Sequence, residues 1–301
     1  MKLATSTCDF TVACKTHLER IEHVAAAGFR HIDLSMYRMA DMDEFSGDDW
    51  KSRALALKKE AEARGLDFVQ AHSPGGNPLG EDAEKLTQAT IRSIEVCGVL
   101  GIPMTVVHSG LCGAVSMEEY NERNLVFYKK LFPVMEETGV QVCIENTTKA
   151  NMGKNTFFLT GKDMADFCRF SGHPLMKGCW DTGHANIEGH QYSDLMDMGE
   201  YLAAIHSNDN RGYVDEHIFP LTGTFAADEI LHGLIDCGFR GPFTFECDST
   251  LLRPGSWPFS RRVYEGDDRL AMPPLWLRDG FEKLMYETGK WILESYDIPV
   301  E

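Results

Sequence analysis

Several features of targeted or extracellular proteins are missing from this chain. No stretch approaches about 18 uninterrupted apolar residues, so no membrane span is expected. The N-terminus, MKLATSTCDFTV, has no apolar core of about 7–15 residues such as a secretory signal carries. The nine cysteines are odd in number and contain no C-x-x-C pair, which speaks against a disulfide framework and a zinc ribbon. Reduced thiols and a cytoplasmic location are expected. Neither G-x-G-x-x-G nor a phosphate-cradling P-loop occurs, so the common nucleotide-binding turns are missing. Positive charge is scarce: 29 Lys and Arg face 46 Asp and Glu, a net charge of −17. Such a surface repels polyanions at long range and weighs against nucleic acid as a partner. The one basic cluster, Arg261-Arg262, is followed at once by Glu265, Asp267 and Asp268.

What is present is a regular alternation. Across 301 residues, β-rich runs at 2–7, 30–35, 66–72, 103–108, 140–145, 175–181, 202–207 and 243–247 alternate with longer amphipathic stretches. In those stretches apolar residues recur at three and four positions, as in Ile91, Ile94, Cys97, Val99 and Leu100. Gly28, Gly65, Gly101, Gly139 and Gly238 end several of them, where a left-handed turn stops a helix. Alternation of this kind implies parallel βα units. Eight units in one chain favour a closed (β/α)8 TIM barrel over an open doubly wound sheet, and barrels use about 250 residues as one unit. No Pro- or Ser-rich linker divides the chain, so residues 1–301 read as one barrel domain. Residues 248–276 lack a clear period and follow the eighth strand, as a lid or subunit contact near the barrel mouth would. A closing helix over roughly 275–296 presents Leu277, Phe281, Leu284, Tyr286 and Trp291 on a broad apolar face.

In a barrel, chemistry sits at the C-terminal ends of the strands. His72, His108, Glu145, Asp181, His206 and Glu246 all stand there, on strands three to eight. Side-chain parity sends them inward. In VQVCIE, Val140, Val142 and Ile144 suit the helix-covered face, while Gln141, Cys143 and Glu145 suit the lumen. Lys177, Cys179 and Asp181 share a face in the same way. A single strand-end carboxylate is more often a helix cap or surface group than a ligand. Lone histidines such as His17, His23, His31 and His232 are read as solvated or core residues. Three inward carboxylates and an imidazole converging on one mouth would repel without a cation. Glu145, Asp181, His206 and Glu246 are therefore expected to hold one divalent metal. The oxygen-rich set suits Mn²⁺ first, with Mg²⁺, Co²⁺ or Zn²⁺ also compatible.

The stretches IENT (144–147), WDTGHANIEG (180–189), HSNDNRGYVDEH (206–217) and FTFEC (243–247) resemble the xylose isomerase-like barrel superfamily. That superfamily includes sugar isomerases, epimerases similar to D-tagatose 3-epimerase, inosose-processing enzymes and endonuclease IV. The resemblance implies a metal-dependent isomerase or epimerase acting on a small carbohydrate, with a homo-oligomeric assembly open. It implies that Glu145 and Glu246 move protons through an enediolate, and that His184 and Arg211 contact substrate. Trp180, Phe10, Tyr37 and Trp257 are candidate walls or ordinary core. One departure is Asn151, where the ketose epimerases carry a second substrate-contacting Glu. The endonuclease IV pattern implies an alternative: up to three Zn²⁺ held by His72, His108, Glu145, Asp181, His184, His206, Asp215, His217 and Glu246, cleaving abasic DNA. A sugar lyase or dehydratase would use the same metal and glutamates. A non-catalytic carbohydrate-binding barrel is the reading from a different class.

Overall fold

The computed structural model of the chain describes residues 1–114, 116–251 and 272–301. Eight short strands alternate with helices: β1 (Leu3–Ser6), β2 (His31–Ser35), β3 (Asp67–His72), β4 (Met104–Val106), β5 (Gln141–Glu145), β6 (Met176–Asp181), β7 (Leu202–His206) and β8 (Phe243–Phe245). They form one sheet in the order β7-β6-β5-β4-β3-β2-β1-β8, every pairing parallel. Closure comes just past β7, where Ser207 bridges Phe245 and exchanges backbone hydrogen bonds with Thr244 (2.7 Å) and Glu246 (3.1 Å). The fold is the (β/α)8 TIM barrel expected from the alternation.

The outer layer is α1 (His17–Ala27), α2 (Trp50–Ala63), α3 (Ala83–Leu100), α4 (Met117–Lys129), α5 (Phe132–Thr138), α6 (Lys149–Met152), α7 (Gly161–Ser171), α8 (Thr182–Glu188), α9 (Tyr192–Met198), α10 (Ala227–Asp236) and α11 (Leu275–Ser295). Local chemistry sets their ends. Thr16 accepts from the Glu19 amide while the Glu19 carboxylate takes the Thr16 amide, a capping box worth about 1 kcal/mol. Gly101 ends α3 at φ 81°, which only glycine adopts cheaply. The run after the fourth strand reads as one helix in sequence but breaks between Lys129 and Phe132. Pro133, which has no amide hydrogen, sits in the first turn of α5, where none is needed.

The apolar helix faces pack on the outside of the sheet. Ile21, Val24, Ile94 and Leu231 are fully buried there against Ile32, Leu34, Ile144 and Ile205. Each such side chain contributes roughly 1.5–3 kcal/mol of burial. A second, small apolar cluster of Val106, Cys143, Cys179 and Ala204 is separate from it. Their parity with Glu145, Asp181 and His206 makes this the lumen layer under the barrel mouth. All nine cysteines are free thiols. Among the described residues no helix is long and apolar enough to cross a membrane. Most of the segment read as a lid or subunit contact, together with Trp257 and Arg261-Arg262, lies outside the described residues.

Candidate metal centre

Four strand ends deliver the inner group. Glu145 is the last residue of β5, Asp181 of β6 and His206 of β7, and Glu246 follows β8 directly. One donor atom from each lies within 4.8 Å of all the others. His206 is fully buried, with Nδ1 2.6 Å from Glu145 Oε1 and 3.3 Å from Glu246 Oε2. Asp181 is also the N-cap of α8: Oδ1 accepts from the His184 amide at 2.7 Å, and Oδ2 accepts from Asn208 Nδ2 at 2.7 Å. The role of helix cap and the place in the ligand group therefore coexist in one carboxylate.

Two flanking groups share members with the inner one. On one side His72 and His108 meet Glu145: His108 Nε2 is 2.6 Å from Glu145 Oε2, and His72 Nε2 is 3.1 Å from His108 Nε2. On the other, His184 Nε2 lies 3.1 Å from Asp215 Oδ2, and His217 stands 3.1 Å from Asp215 Oδ1 and 3.4 Å from Glu246 Oε2. All nine sequence-singled ligand candidates are thus brought into one continuous ring at the mouth.

The remaining candidates are placed differently. Trp180 is fully buried in the helix-covered layer, its Nε1 donating to Gln191 Oε1 at 3.0 Å. Phe10 is likewise fully buried and stacks on His23. Arg211 is drawn back along its own loop, its guanidinium paired with Glu216. Tyr37 does reach the ring, edge-on to His72 at 5.1 Å and to His108 at 5.7 Å. Asn151 donates to Asp215 Oδ2 at 2.7 Å.

Three supporting residues escaped the sequence reading. Asn146 clamps Asp181, accepting from its amide at 2.6 Å and donating to its carbonyl at 3.0 Å. Asn208 holds the Asp181 carboxylate from the loop after β7. Asp33, fully buried on β2, has Oδ2 3.3 Å from His206 Nε2. The signals were available: Asn146 and Asn208 stand one and two residues beyond singled-out ligands, and Asp33 lies between the apolar Ile32 and Leu34 with inward parity.

Electrostatics are those of a crowded carboxylate site. Burial opposes ionisation of Glu145, yet His206, His108 and His72 around it hold it well below the usual carboxylate range. Glu246 goes the other way: burial, reinforced by the charges of Glu145 and Asp181, pushes it up to about 8. Burial favours neutral His184, but Asp181 and Asp215 outweigh it and raise the imidazole to about 10. Burial, with His108 and His206 beside it, holds His72 below its ordinary value against the pull of Glu145.

The inner group fits a hard divalent cation. Three carboxylates and one imidazole supply the donor types, and His206 offers Nδ1 toward them while Nε2 faces a carboxylate on its far side. The buried Asp215 Oδ1 meets His217 Nε2 at 3.1 Å as an ion-pair contact but forms no hydrogen bond.

With its fold and this ring of donors, the chain belongs to the Xylose isomerase-like TIM barrel family, whose profile matches residues 21–265. An uncharacterized protein, y4fM, from Sinorhizobium fredii is 27% identical over 254 residues, spanning 75% of this chain and 79% of the relative. A probable endonuclease 4 of Methanoculleus marisnigri is 28% identical over 221 residues, spanning 63% of this chain and 76% of the relative. Among solved structures, D-psicose 3-epimerase from Clostridium cellulolyticum H10 superposes with a TM-score of 0.74 at 18% identity, covering 97% of this chain and 99% of that one. The 3-keto-D-glucoside 4-epimerase YcjR of E. coli gives a TM-score of 0.68 at 15% identity, covering 97% and 99%. At these identities the structural likenesses speak to the fold.

Proposed function

We propose that this chain is a divalent-metal-dependent isomerase or epimerase acting on a sugar or sugar-derived hydroxy-ketone. The observation that carries the reading is the convergence of Glu145, Asp181, His206 and Glu246 within 4.8 Å at the mouth of the barrel. A cation bound there supplies Lewis acidity to a substrate carbonyl, worth several kcal/mol at the transition state. The side chains do the rest. Glu145 is engaged on both oxygens, by His206 and by His108. Glu246 has only one oxygen within ion-pair distance of His206 and His217, and its side chain keeps 13% of its surface exposed. Glu246 is therefore the carboxylate placed to take the proton alpha to the carbonyl. Returning that proton to the neighbouring carbon isomerises the substrate, and returning it to the other face, from Glu145 or Glu246, epimerises it. His184 and Tyr37 frame the space above and orient hydroxyl groups.

The epimerases among its structural neighbours support a carbohydrate substrate for this chain. The test is solvent deuterium incorporation at the carbon alpha to the carbonyl, followed by NMR over a panel of ketoses and inositol-derived ketones with Mn²⁺ present. Exchange that disappears in Glu246→Gln is the expected result. Full exchange in that variant would remove Glu246 from the proton-transfer role.

A second reading has its own observation. Three overlapping donor groups are present, and a relative carries the name probable endonuclease 4. On that reading the chain takes up three zinc ions and cleaves an abasic duplex. Metal counting by elemental analysis, paired with a cleavage assay on such a duplex, separates the two. The net charge of −17 favours the small-molecule substrate.

A further inference from the structure

Across the barrel from the mouth-facing nitrogen of His206 lies a carboxylate that the four-ligand description leaves out. Asp33 is the third residue of β2, and His31, Asp33 and Ser35 share one face of that strand while Ile32 and Leu34 enter the outer core. The register between β2 and β3 shifts here, Ile32 pairing with Phe68 and Asp33 with Gln70, so the unpaired residue is Val69 on β3 and Gln70 is set beside Asp33. Asp33 and His206 are both fully buried, and Asp33 Oδ2 stands 3.3 Å from His206 Nε2. Gln70 Nε2 donates to the same oxygen at 3.4 Å, which orients the carboxylate. Asp33 Oδ1 and His206 Nε2 each lack a hydrogen-bond partner, so Asp33 and His206 meet at ion-pair distance rather than in a formed hydrogen bond. The His206 ring is fixed on its face as well, stacked on His72 at 5.5 Å and 9°.

A buried carboxylate with one bare oxygen is costly unless the group it faces needs a negative charge. His206 is that group. An imidazole has two tautomers, and the partner of one nitrogen decides which lone pair the other presents. Without a cation Nδ1 donates to Glu145 Oε1, 2.6 Å away, with Glu246 Oε2 at 3.3 Å. When a cation is taken up that proton leaves, and a proton kept on Nε2 toward Asp33 lets Nδ1 present its lone pair to the metal. With the proton on Nδ1, the inner group loses its one nitrogen ligand.

We propose that Asp33 is a positioning residue that sets the tautomer and orientation of His206 and thereby the affinity of the inner group for its cation. The inference rests on the metal-dependent reading above. Its chemistry is that of a carboxylate behind a ligating histidine, where loss of the outer partner weakens metal binding by about 10–100-fold.

The experiment titrates the metal-free full-length chain with Mn²⁺ by calorimetry, in the parent, in the isosteric Asp33→Asn and in Asp33→Ala. In parallel, ¹⁵N spectra of histidine-labelled protein with Mg²⁺ report which His206 nitrogen carries the proton. Expected are a single Nε2–H tautomer in the parent, mixed tautomers in Asp33→Ala, and Mn²⁺ binding weakened about 10–100-fold in that variant. Asp33→Asn keeps the shape and an acceptor oxygen, so it falls between the two and guards against a variant that fails to fold. Parent-like affinity and an unchanged tautomer in a folded variant overturn the assignment. So does a fall in melting temperature with both readouts unmoved. A parent that takes up no Mn²⁺ would instead sink the metal-dependent reading itself, which keeps the two failures apart.

Discussion

Replacing Glu246 by Gln should raise the stability of the metal-free protein while weakening its response to metal. Glu246 is pushed from 4.5 up to about 8 by burial and by the charges of Glu145 and Asp181. A carboxyl whose folded pKa is raised stays protonated in the folded chain while its unfolded counterpart ionises, so stability falls as pH climbs from about 4.5 to about 8. The full shift corresponds to about 5 kcal/mol. The attraction of His206 and His217 is already contained in that shift, and relaxation of the metal-free site with entry of water leaves about 2–3 kcal/mol. For a chain of this size that is about 4–6 °C in melting temperature. The Gln variant should match the parent near pH 4.5 and exceed it by that margin at pH 8.5. Mn²⁺ at 1,000 times the parent's Kd stabilises the parent by about 4.1 kcal/mol. A variant bound about 100-fold more weakly gains only about 1.4 kcal/mol, so the margin closes. Differential scanning fluorimetry at the two pH values, with EDTA and with Mn²⁺, reads all four cells. The reasoning is refuted by a metal-free margin that does not grow with pH, or by one that metal leaves intact.

Other positions give independent readings. A Cβ at Gly183 would meet Asn208 Oδ1 at 1.9 Å, and Asn208 is fully buried while holding Asp181, so Gly183→Ala should lose about 1–3 kcal/mol and also weaken Mn²⁺ binding. Both can be followed by urea melts and calorimetry, and a stability loss without the affinity loss would detach Asn208 from the site. Trp180→Phe strips the buried bond to Gln191 and should cost about 1–3 kcal/mol while leaving KM unchanged; a raised KM would return Trp180 to the substrate wall. Asp9 is raised to about 7 by burial and then by Asp248, so it draws stability down as pH rises from about 4 to 7. Asp9→Asn should flatten that slope and be the more stable protein at pH 8, by about 1–3 kcal/mol in chemical denaturation. An unchanged slope would place the ionisation elsewhere.

Parity made most of the site legible. Once Glu145 and Asp181 are taken as inward, the whole lumen face follows, and Cys143 and Cys179 indeed lie in the small inner cluster. The same rule, carried one residue further, sends Trp180 outward, because neighbours on a strand alternate; its place in the helix-covered core was readable from Asp181 itself. Arg211 was beyond reach for another reason. It lies in the irregular loop after β7, where no period fixes direction, and its capture by Glu216 five residues on depends on the fold of that loop. Asp33 lies on a well-formed strand, but its partner is five strands further along the chain. Only closure of the barrel brings β2 and β7 face to face.

The flanking histidines bear on how many cations the ring holds, through the bonds they already make. His72 Nδ1 is 2.8 Å from the Ser73 carbonyl, and His184 Nδ1 is 2.9 Å from that of Asn146. A carbonyl only accepts, so each ring carries its proton on Nδ1 and directs Nε2 into the ring of donors. To this point both would serve as ligands. Their surroundings differ from those of His206, however. On the far flank, Asn151 donates to Asp215 Oδ2 at 2.7 Å, on the oxygen that also faces His184. A cation between His184 and Asp215 would have to displace that amide, and Asp181 would have to serve it with oxygens already holding the α8 amide and Asn208. Asp181 brings the same two donors to the inner group, but there His206 Nδ1 faces Glu145 and Glu246 oxygens that meet no protein donor besides the histidines of the ring. On the proposed metal-dependent reading, occupation is expected to begin at Glu145, Asp181, His206 and Glu246, with Asn151 biasing the outer group toward substrate hydroxyls rather than a further metal.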